Sequence, residues 1–125
     1  MLNSGRLRHR VRIERLTDLL DSHGDALQDP ATGQVYREWR LVANVWAAIE
    51  PVSAREFVQS QAMQSQVSTR IVIRWRDDVD ASMRLVHKRF GRSYVIYNIH
   101  GVLADKDSGM EYLTLPCSQG TGDGR

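Results

Sequence analysis

Histidine and cysteine are the residues of this chain best suited to hold a metal ion or to act as a nucleophile. The four histidines, His9, His23, His87 and His100, are scattered, and neither an H-x-x-x-H nor a C-x-x-C spacing occurs. Cys117 is the only cysteine, which excludes an internal disulfide and a site with several thiolates. We therefore expect no metal site, and we expect Cys117 to be a structural, partly buried thiol.

Acidic and glycine-rich segments are the other candidates for chemistry. Asp77 and Asp78 are adjacent carboxylates, but such a pair between two strands is typical of a solvated turn. Residues 120–124 read GTGDG, yet they lack the following helix and lysine of a phosphate-binding loop. A G-x-S-x-G nucleophile motif is also missing. The sequence thus predicts no catalytic residue, no cofactor and no enzymatic activity.

Positive charge in this chain is carried almost entirely by arginine. The formal net charge is only +2, but fifteen of the seventeen basic residues are arginines. Arg70, Arg74 and Arg76 alternate with apolar residues, which places them on one face of a predicted strand. Two interpretations stay open: a solvated outer face, or a surface that contacts phosphate groups without reading bases.

Residues 16–38 form a polar segment between two predicted strands. It carries four spaced aspartates, Asp18, Asp21, Asp25 and Asp29, but lacks the spacing and the closing glutamate of an EF-hand. A structureless connection of this length is uncommon inside a compact domain. The segment is therefore either a mobile functional loop or a hairpin with its turn at residues 29–33.

Hydrophobic periodicity predicts about six strands and one helix. Residues 42–49 are almost all apolar, which indicates a strand packed on both faces, and Pro51 ends it. Ser53 and Glu56 then form a capping box for a helix with an apolar stripe, which we expect to cover one end of the fold. The strands are predicted at residues 8–15, 42–49, 66–76, 83–89, 93–102 and 110–117.

These elements predict a mainly β fold, a small antiparallel β-barrel or sandwich of about six strands with one helix inserted between strands 2 and 3. The length indicates a single domain over residues 1–125, with a flexible C-terminal tail at residues 118–125. No apolar run approaches the ~20 residues of a membrane span, and no signal peptide is apparent, so we expect a cytoplasmic site of synthesis and no membrane partner. The predicted core consists of Val45, Trp46, Ile49, Phe57, Ile71, Ile73, Trp75, Tyr94, Ile96, Leu113 and Leu115.

The order of several short motifs resembles the phage head-tail joining family, which comprises head-closure, stopper and head completion proteins. The central motif is VWAAIEPVSARE at residues 45–56, and Ala54 stands where the family usually has glycine. The further motifs are GRLRHRVRIE at residues 5–14, TRIVIRWR at residues 69–76, GRSYVI at residues 91–96 and YLTLPC at residues 112–117.

The resemblance implies a structural protein of the virion neck, in a phage or prophage, that assembles in the host cytoplasm. Its implied partners are the portal and adaptor proteins, a tail or tail-completion protein, further copies of itself in a ring, and packaged DNA through non-specific contact. Under this reading Arg70, Arg74 and Arg76 contact DNA or a neighbouring subunit. The aspartates of residues 16–38 would either belong to a disordered surface loop or become ordered against a ring neighbour.

A small β-barrel that binds nucleic acid as a monomer or dimer is the alternative. Such a module needs exposed aromatic side chains beside its basic face, on which bases stack. The sequence assigns Trp39, Trp46 and Trp75 to apolar faces of strands, which argues against this alternative.

Overall fold

The computed structural model describes residues 7–53, 67–88, 94–105 and 109–120. The helix predicted to follow Ser53, together with Phe57, falls on residues 54–66 and so lies outside the described residues. All secondary structure in the described ranges is β, and no helix there is long and apolar enough to cross a membrane. The strands are β1 (His9–Asp18), β2 (Arg37–Pro51), β3 (Thr69–Arg74), β4 (Arg84–Lys88), β5 (Tyr94–Ile99), β6 (Leu103–Ala104) and β7 (Tyr112–Gln119).

Six of these strands form a closed antiparallel barrel. Their order is β3-β2-β1-β4-β5-β7, and β7 pairs with β3 to complete the circle. The two-residue strand β6 adds to β7 as a seventh member of the sheet. The predicted mainly β class and the barrel of six strands are therefore confirmed.

Alternation along the strands fills the barrel with apolar side chains. Of the predicted core residues, Ile71, Ile73, Leu113 and Leu115 are fully or almost fully buried. Val45, Ile49 and Trp75 are partly buried and pack against the same cluster. The other buried members are Val11, Ile13, Ala47, Met83, Leu85, Tyr97, Ile99 and Cys117.

Three residues assigned to the core by sequence lie elsewhere. Trp46 is 52% exposed and Tyr94 is 57% exposed, and Ile96 lines a groove on the outer surface. The reason is strand pairing: Trp46 lies opposite Arg10 of β1, and Tyr94 lies opposite Lys88 of β4. Side chains of directly paired residues project to the same face, so both aromatic rings share the outer face with a cation.

Strands β1 and β2 continue past the rest of the barrel. Strand β4 pairs with β1 only from Val11 to Glu14, and β3 pairs with β2 only from Ala47 to Pro51. Five residue pairs join β1 to β2 beyond a bulge after Ile13, and the last four, from Arg15 to Asp18, form roughly 13 Å of two-stranded ribbon. We refer to residues 15–41 as the arm. Strand β2 thus begins well before residue 42, where the sequence placed it.

The C-terminal strand is also longer than its sequence pattern indicates. Ser118 and Gln119, which the sequence assigns to the tail, belong to β7, where Ser118 pairs with Asn98 and Gln119 with Tyr97 of β5. The backbone N–H of Gly120 then donates to the carbonyl oxygen of Ile96 at 2.7 Å. The end of β7 therefore closes the barrel against β5 as well as β3.

Truncating one buried and one exposed side chain tests the assignment of the core. Ile71→Ala should lower the free energy of unfolding by about 2–5 kcal/mol, because it removes buried methyl groups and leaves a cavity. Trp46→Ala should lower the free energy of unfolding by less than about 1.5 kcal/mol, because about half of the Trp46 side chain is already exposed to water. Urea denaturation of both variants measures the two values. A larger loss for Trp46→Ala would show that the indole belongs to the core.

Candidate assembly surfaces

The distal part of the arm is ordered by backbone hydrogen bonds around two tight turns. Leu27 is hydrogen-bonded to both segments of the ribbon. Its N–H donates to the Leu19 carbonyl at 2.7 Å, and its carbonyl accepts from the Tyr36 N–H at 2.9 Å. The turns contain Gly24 and Gly33, whose φ angles of 85° and 75° favour glycine. The turn predicted at residues 29–33 is present, so the segment contains a hairpin.

The four aspartates of this segment have different roles. Asp18 forms an exposed ion pair with Arg37, with 3.0 Å between Oδ1 and Nε. The carboxylate of Asp21 accepts hydrogen bonds from the backbone N–H groups of His23 and Asp25, and that of Asp29 accepts one from Ala31. Asp21 and Asp29 therefore shape the turns, whereas the Asp25 side chain projects from an exposed position.

The arm also carries five of the nine large apolar side chains that are exposed in the described residues. Leu20 is 61% exposed, Leu41 48% and Tyr36 43%, with Leu27 and Leu16 only slightly less accessible. A two-stranded ribbon is marginally stable in water when it has nothing to pack against. The exposed leucines make this ribbon a candidate assembly surface.

The structure separates the three arginines that the sequence placed together. Arg70 and Arg74 lie on the outer face of β3, opposite Glu50 of β2 and Tyr112 of β7 respectively. Arg76 lies beyond the end of the strand, where its Nε and Nη2 donate to the two carboxylate oxygens of Asp78 at 2.9 and 2.8 Å. This bidentate contact lowers the pKa of Asp78 and engages the guanidinium.

The arginines of β3 and the arm lie at opposite ends of β2. Strand β3 pairs with residues 47–51 of β2, whereas the arm begins at the other end of that strand. Arg70 and Arg74 flank Val72, which is buried against Leu7 and Ala48 on the outside of the barrel. The two predicted contact regions are therefore separate surfaces.

A third surface, which sequence reasoning missed, pairs cations with aromatic rings on the outside of β1, β2, β4 and β5. The guanidinium of Arg10 lies 5.1 Å from the centroid of the Trp46 ring, and the Lys88 ammonium lies 5.6 Å from that of Tyr94. Arg12 lies two residues further along β1 on the same face, opposite Val86 of β4. We call Arg10, Arg12, Trp46, Lys88 and Tyr94 the cation–aromatic face. The alternation of Arg10 and Arg12 was visible in the sequence, but their aromatic partners depend on strand register.

A buried ion pair fixes the edge of this face nearest the arm. Nε of Arg84 on β4 donates to Oε1 of Glu14 on β1 at 2.8 Å, and both side chains are about nine-tenths buried. Nη2 of Arg12 lies 3.1 Å from Oε2 of the same carboxylate. The Arg84 guanidinium also lies 4.3 Å from the centroid of Trp39, a residue of the arm. One arginine thus links β4, β1 and the base of the arm.

The histidines and the cysteine do not assemble into a reactive site. In the described part of the chain, no group of three or more His, Cys, Asp and Glu residues is arranged to hold a metal ion. His9 and His87 contact each other edge to face, and burial together with the nearby positive charge of His87 and Arg8 lowers the pKa of His9. Burial raises the pKa of Cys117 to about 12, so its thiol stays protonated.

The described residues form a small closed barrel whose distinctive features are the exposed arm and the cation–aromatic face. The sequence matches the family described as phage head completion protein over residues 2–120. The chain therefore belongs to the phage head completion family, a structural family of head-tail joining that is not known to be enzymatic. Membership implies a position at the head-tail junction of the virion, in contact with other virion proteins.

A solved structure supports the same fold. The solution structure of protein SF1141 from Shigella flexneri 2a superposes with a TM-score of 0.71 at 28% sequence identity. The alignment covers 97% of this chain and 99% of that chain. No curated protein matches the sequence.

Removing one partner of the Glu14–Arg84 pair tests its contribution to stability. Arg84→Met should lower the free energy of unfolding by about 3 kcal/mol, because it leaves a buried carboxylate with less compensation. The double variant Glu14→Gln/Arg84→Met should recover part of that loss. Arg37→Met is the matched control, since its ion pair with Asp18 is exposed and should contribute at most about 1 kcal/mol. Equal losses in the two arginine variants would contradict this account.

The state of Cys117 can be tested with a thiol reagent. At pH 8 the native protein should react with a disulfide reagent at least 100-fold more slowly than the protein in guanidinium chloride, because the thiol is buried and protonated. The absorbance of the released thiolate follows the reaction. Comparable rates in the native and denatured protein would show that the end of β7 opens readily.

Proposed function

We propose that this chain assembles as a ring in the neck of a phage or prophage particle, below the portal and its adaptor. There it retains the packaged DNA and provides the surface on which the tail docks. The observation that carries the proposal is the match to the head completion family over residues 2–120. The chain would reach the neck after synthesis in the host cytoplasm, with the portal or adaptor and the tail as its two kinds of partner.

The exterior of the barrel supports a role in contacts between proteins. Closure of the barrel gives each of its six strands two neighbours over part of its length, so side chains on the outside and on the arm offer most of the surface open to other subunits. The aspartates of the arm, Asp25 in particular, are our candidates for a contact between subunits. A ring requires two different surfaces on each subunit. This chain carries two of opposite charge, the acidic distal part of the arm and the basic cation–aromatic face.

Contact with DNA is a finer part of the proposal. Arg70 and Arg74 lie on the outer face of β3, where their charge would favour phosphate without base recognition. Arg74 is the more exposed of the two. Arg76 is engaged by Asp78, which makes it the weakest of the three candidates for phosphate.

A small β-barrel that binds nucleic acid is the second candidate, and one observation favours it. Trp46 is exposed beside Arg10, whereas the sequence had assigned all three tryptophans to apolar faces. If this were the main function, the isolated chain would bind DNA with an affinity that falls steeply with salt concentration. The family match favours the neck protein.

Adding the purified chain to DNA-filled heads that lack it tests the proposal. Electron microscopy should show an added ring of density below the portal, and the packaged DNA should become protected from nuclease. Arg74→Gln should still add the ring but should protect the DNA less, because it removes a phosphate contact. Arg76→Gln is the matched control and should protect the DNA as the wild type does. Folded wild-type protein that adds no density to the heads would contradict the proposal.

A further inference from the structure

The arm and the cation–aromatic face are complementary surfaces on one chain. Residues 19–36 of the arm contain three aspartates, Asp21, Asp25 and Asp29, and no arginine or lysine. The face presents Arg10, Arg12 and Lys88.

The two surfaces also match in apolar character. The arm exposes Leu20 and Leu27, and the face exposes the rings of Trp46 and Tyr94. A shallow groove of about 310 Å³ lies between Tyr94 and the Glu14–Arg84 pair, and Arg12, Val86 and Ile96 also line it. Such a groove has room for side chains of leucine size, and Arg12 supplies a cation in its lining.

We propose that the arm of one subunit lies on the cation–aromatic face of the next subunit, with Leu20 and Leu27 at the groove and Asp25 near Arg10 and Arg12. The inference rests on the proposed function, since it names the contact that would build the ring. Because the two surfaces differ, each subunit offers its arm to one neighbour and its face to the other. This is the head-to-tail arrangement that closes into a ring.

A second copy of this chain fits the face better than nucleic acid does. Bases bind exposed aromatic rings by stacking on their faces. Here Arg10 already covers one face of Trp46, and Lys88 lies over Tyr94. An acidic segment that carries leucines instead contacts the cations and the edges of the rings. It leaves Arg10 over Trp46 and Lys88 over Tyr94. The arm is such a segment, and it is present at the same concentration as the face.

Paramagnetic labelling detects this contact even when it is weak. A nitroxide on Ser22→Cys would report the position of the exposed end of the arm, and native Cys117 is buried and so stays unlabelled. The labelled chain is mixed with isotopically labelled wild type at about 1 mM, where a millimolar Kd still gives a substantial bound fraction. We expect selective broadening of the amides of Arg10 and Arg12 and of the Trp46 indole. Absence of broadening, or broadening confined to the partner's own arm, would overturn the proposal.

Charge reversal in separate chains supplies the matched control. Asp25→Lys in the nitroxide-labelled chain, or Arg10→Glu in the isotopically labelled chain, should each reduce the broadening by roughly threefold or more. Combining the two variants should restore it, because the reversed charges attract again. Failure of the combination to restore the broadening would show that these two residues do not meet.

The remaining outcomes separate this inference from the proposed function. If Arg10→Glu weakens DNA binding and leaves the broadening between chains unchanged, the face serves nucleic acid and the proposal is wrong. If Asp25→Lys and Arg10→Glu each form a normal ring on DNA-filled heads, the neck function stands and the arm contact fails. If wild type adds no ring there, the proposed function fails whatever the labelling shows.

Discussion

The pairing of β3 with β7 is the constraint on which the rest of this structure depends. Six residue pairs, from Thr69 with Cys117 to Arg74 with Tyr112, join the middle of the chain to its C-terminal strand. This pairing converts a sheet with two open edges into a barrel, and it brings Ile71, Ile73, Leu113 and Leu115 into one core. Because closure satisfies the backbone groups of both strands, β3 and β7 present side chains on the outside of the barrel.

Closure of the barrel makes the arm its most distinctive projection. Strands β1 and β2 share the barrel over part of their length and then pair only with each other. The ion pair of Glu14 and Arg84, with Trp39 stacked on the guanidinium, anchors the base of this ribbon to β4. The part beyond residue 18 is held by turns and a few backbone hydrogen bonds, and it exposes leucines to water. Stability therefore resides in the barrel, whereas the surfaces suited to partners lie on its exterior and on the arm.

Strand content and the barrel could be predicted from the sequence because alternation in β1 and β3 is clear. The outward orientation of Trp46 could not be predicted, because residues 42–49 are apolar on both faces. Only the pairing of Trp46 with Arg10 shows which face of β2 lies outside. The extension of β2 back to Arg37 was hidden because its charged and polar residues resemble a loop. Arg76 continued the alternation of β3 in sequence, but the strand ends at Arg74 and Asp78 binds the guanidinium. Each error concerns a contact between segments distant in sequence or a strand end that local pattern does not mark.

Native-state hydrogen exchange of the isolated chain tests most directly whether closure of the barrel dominates its stability. The amides of Ile71, Ile73 and Leu115 should exchange only through global unfolding, so their opening free energies should agree with one another and with the value from denaturation. The amides of Leu19, Leu27 and Tyr36 should open locally, with free energies several kcal/mol lower. Arm amides as strongly protected as those of β3 and β7 would contradict the account, as would early exchange at the β3–β7 pairing.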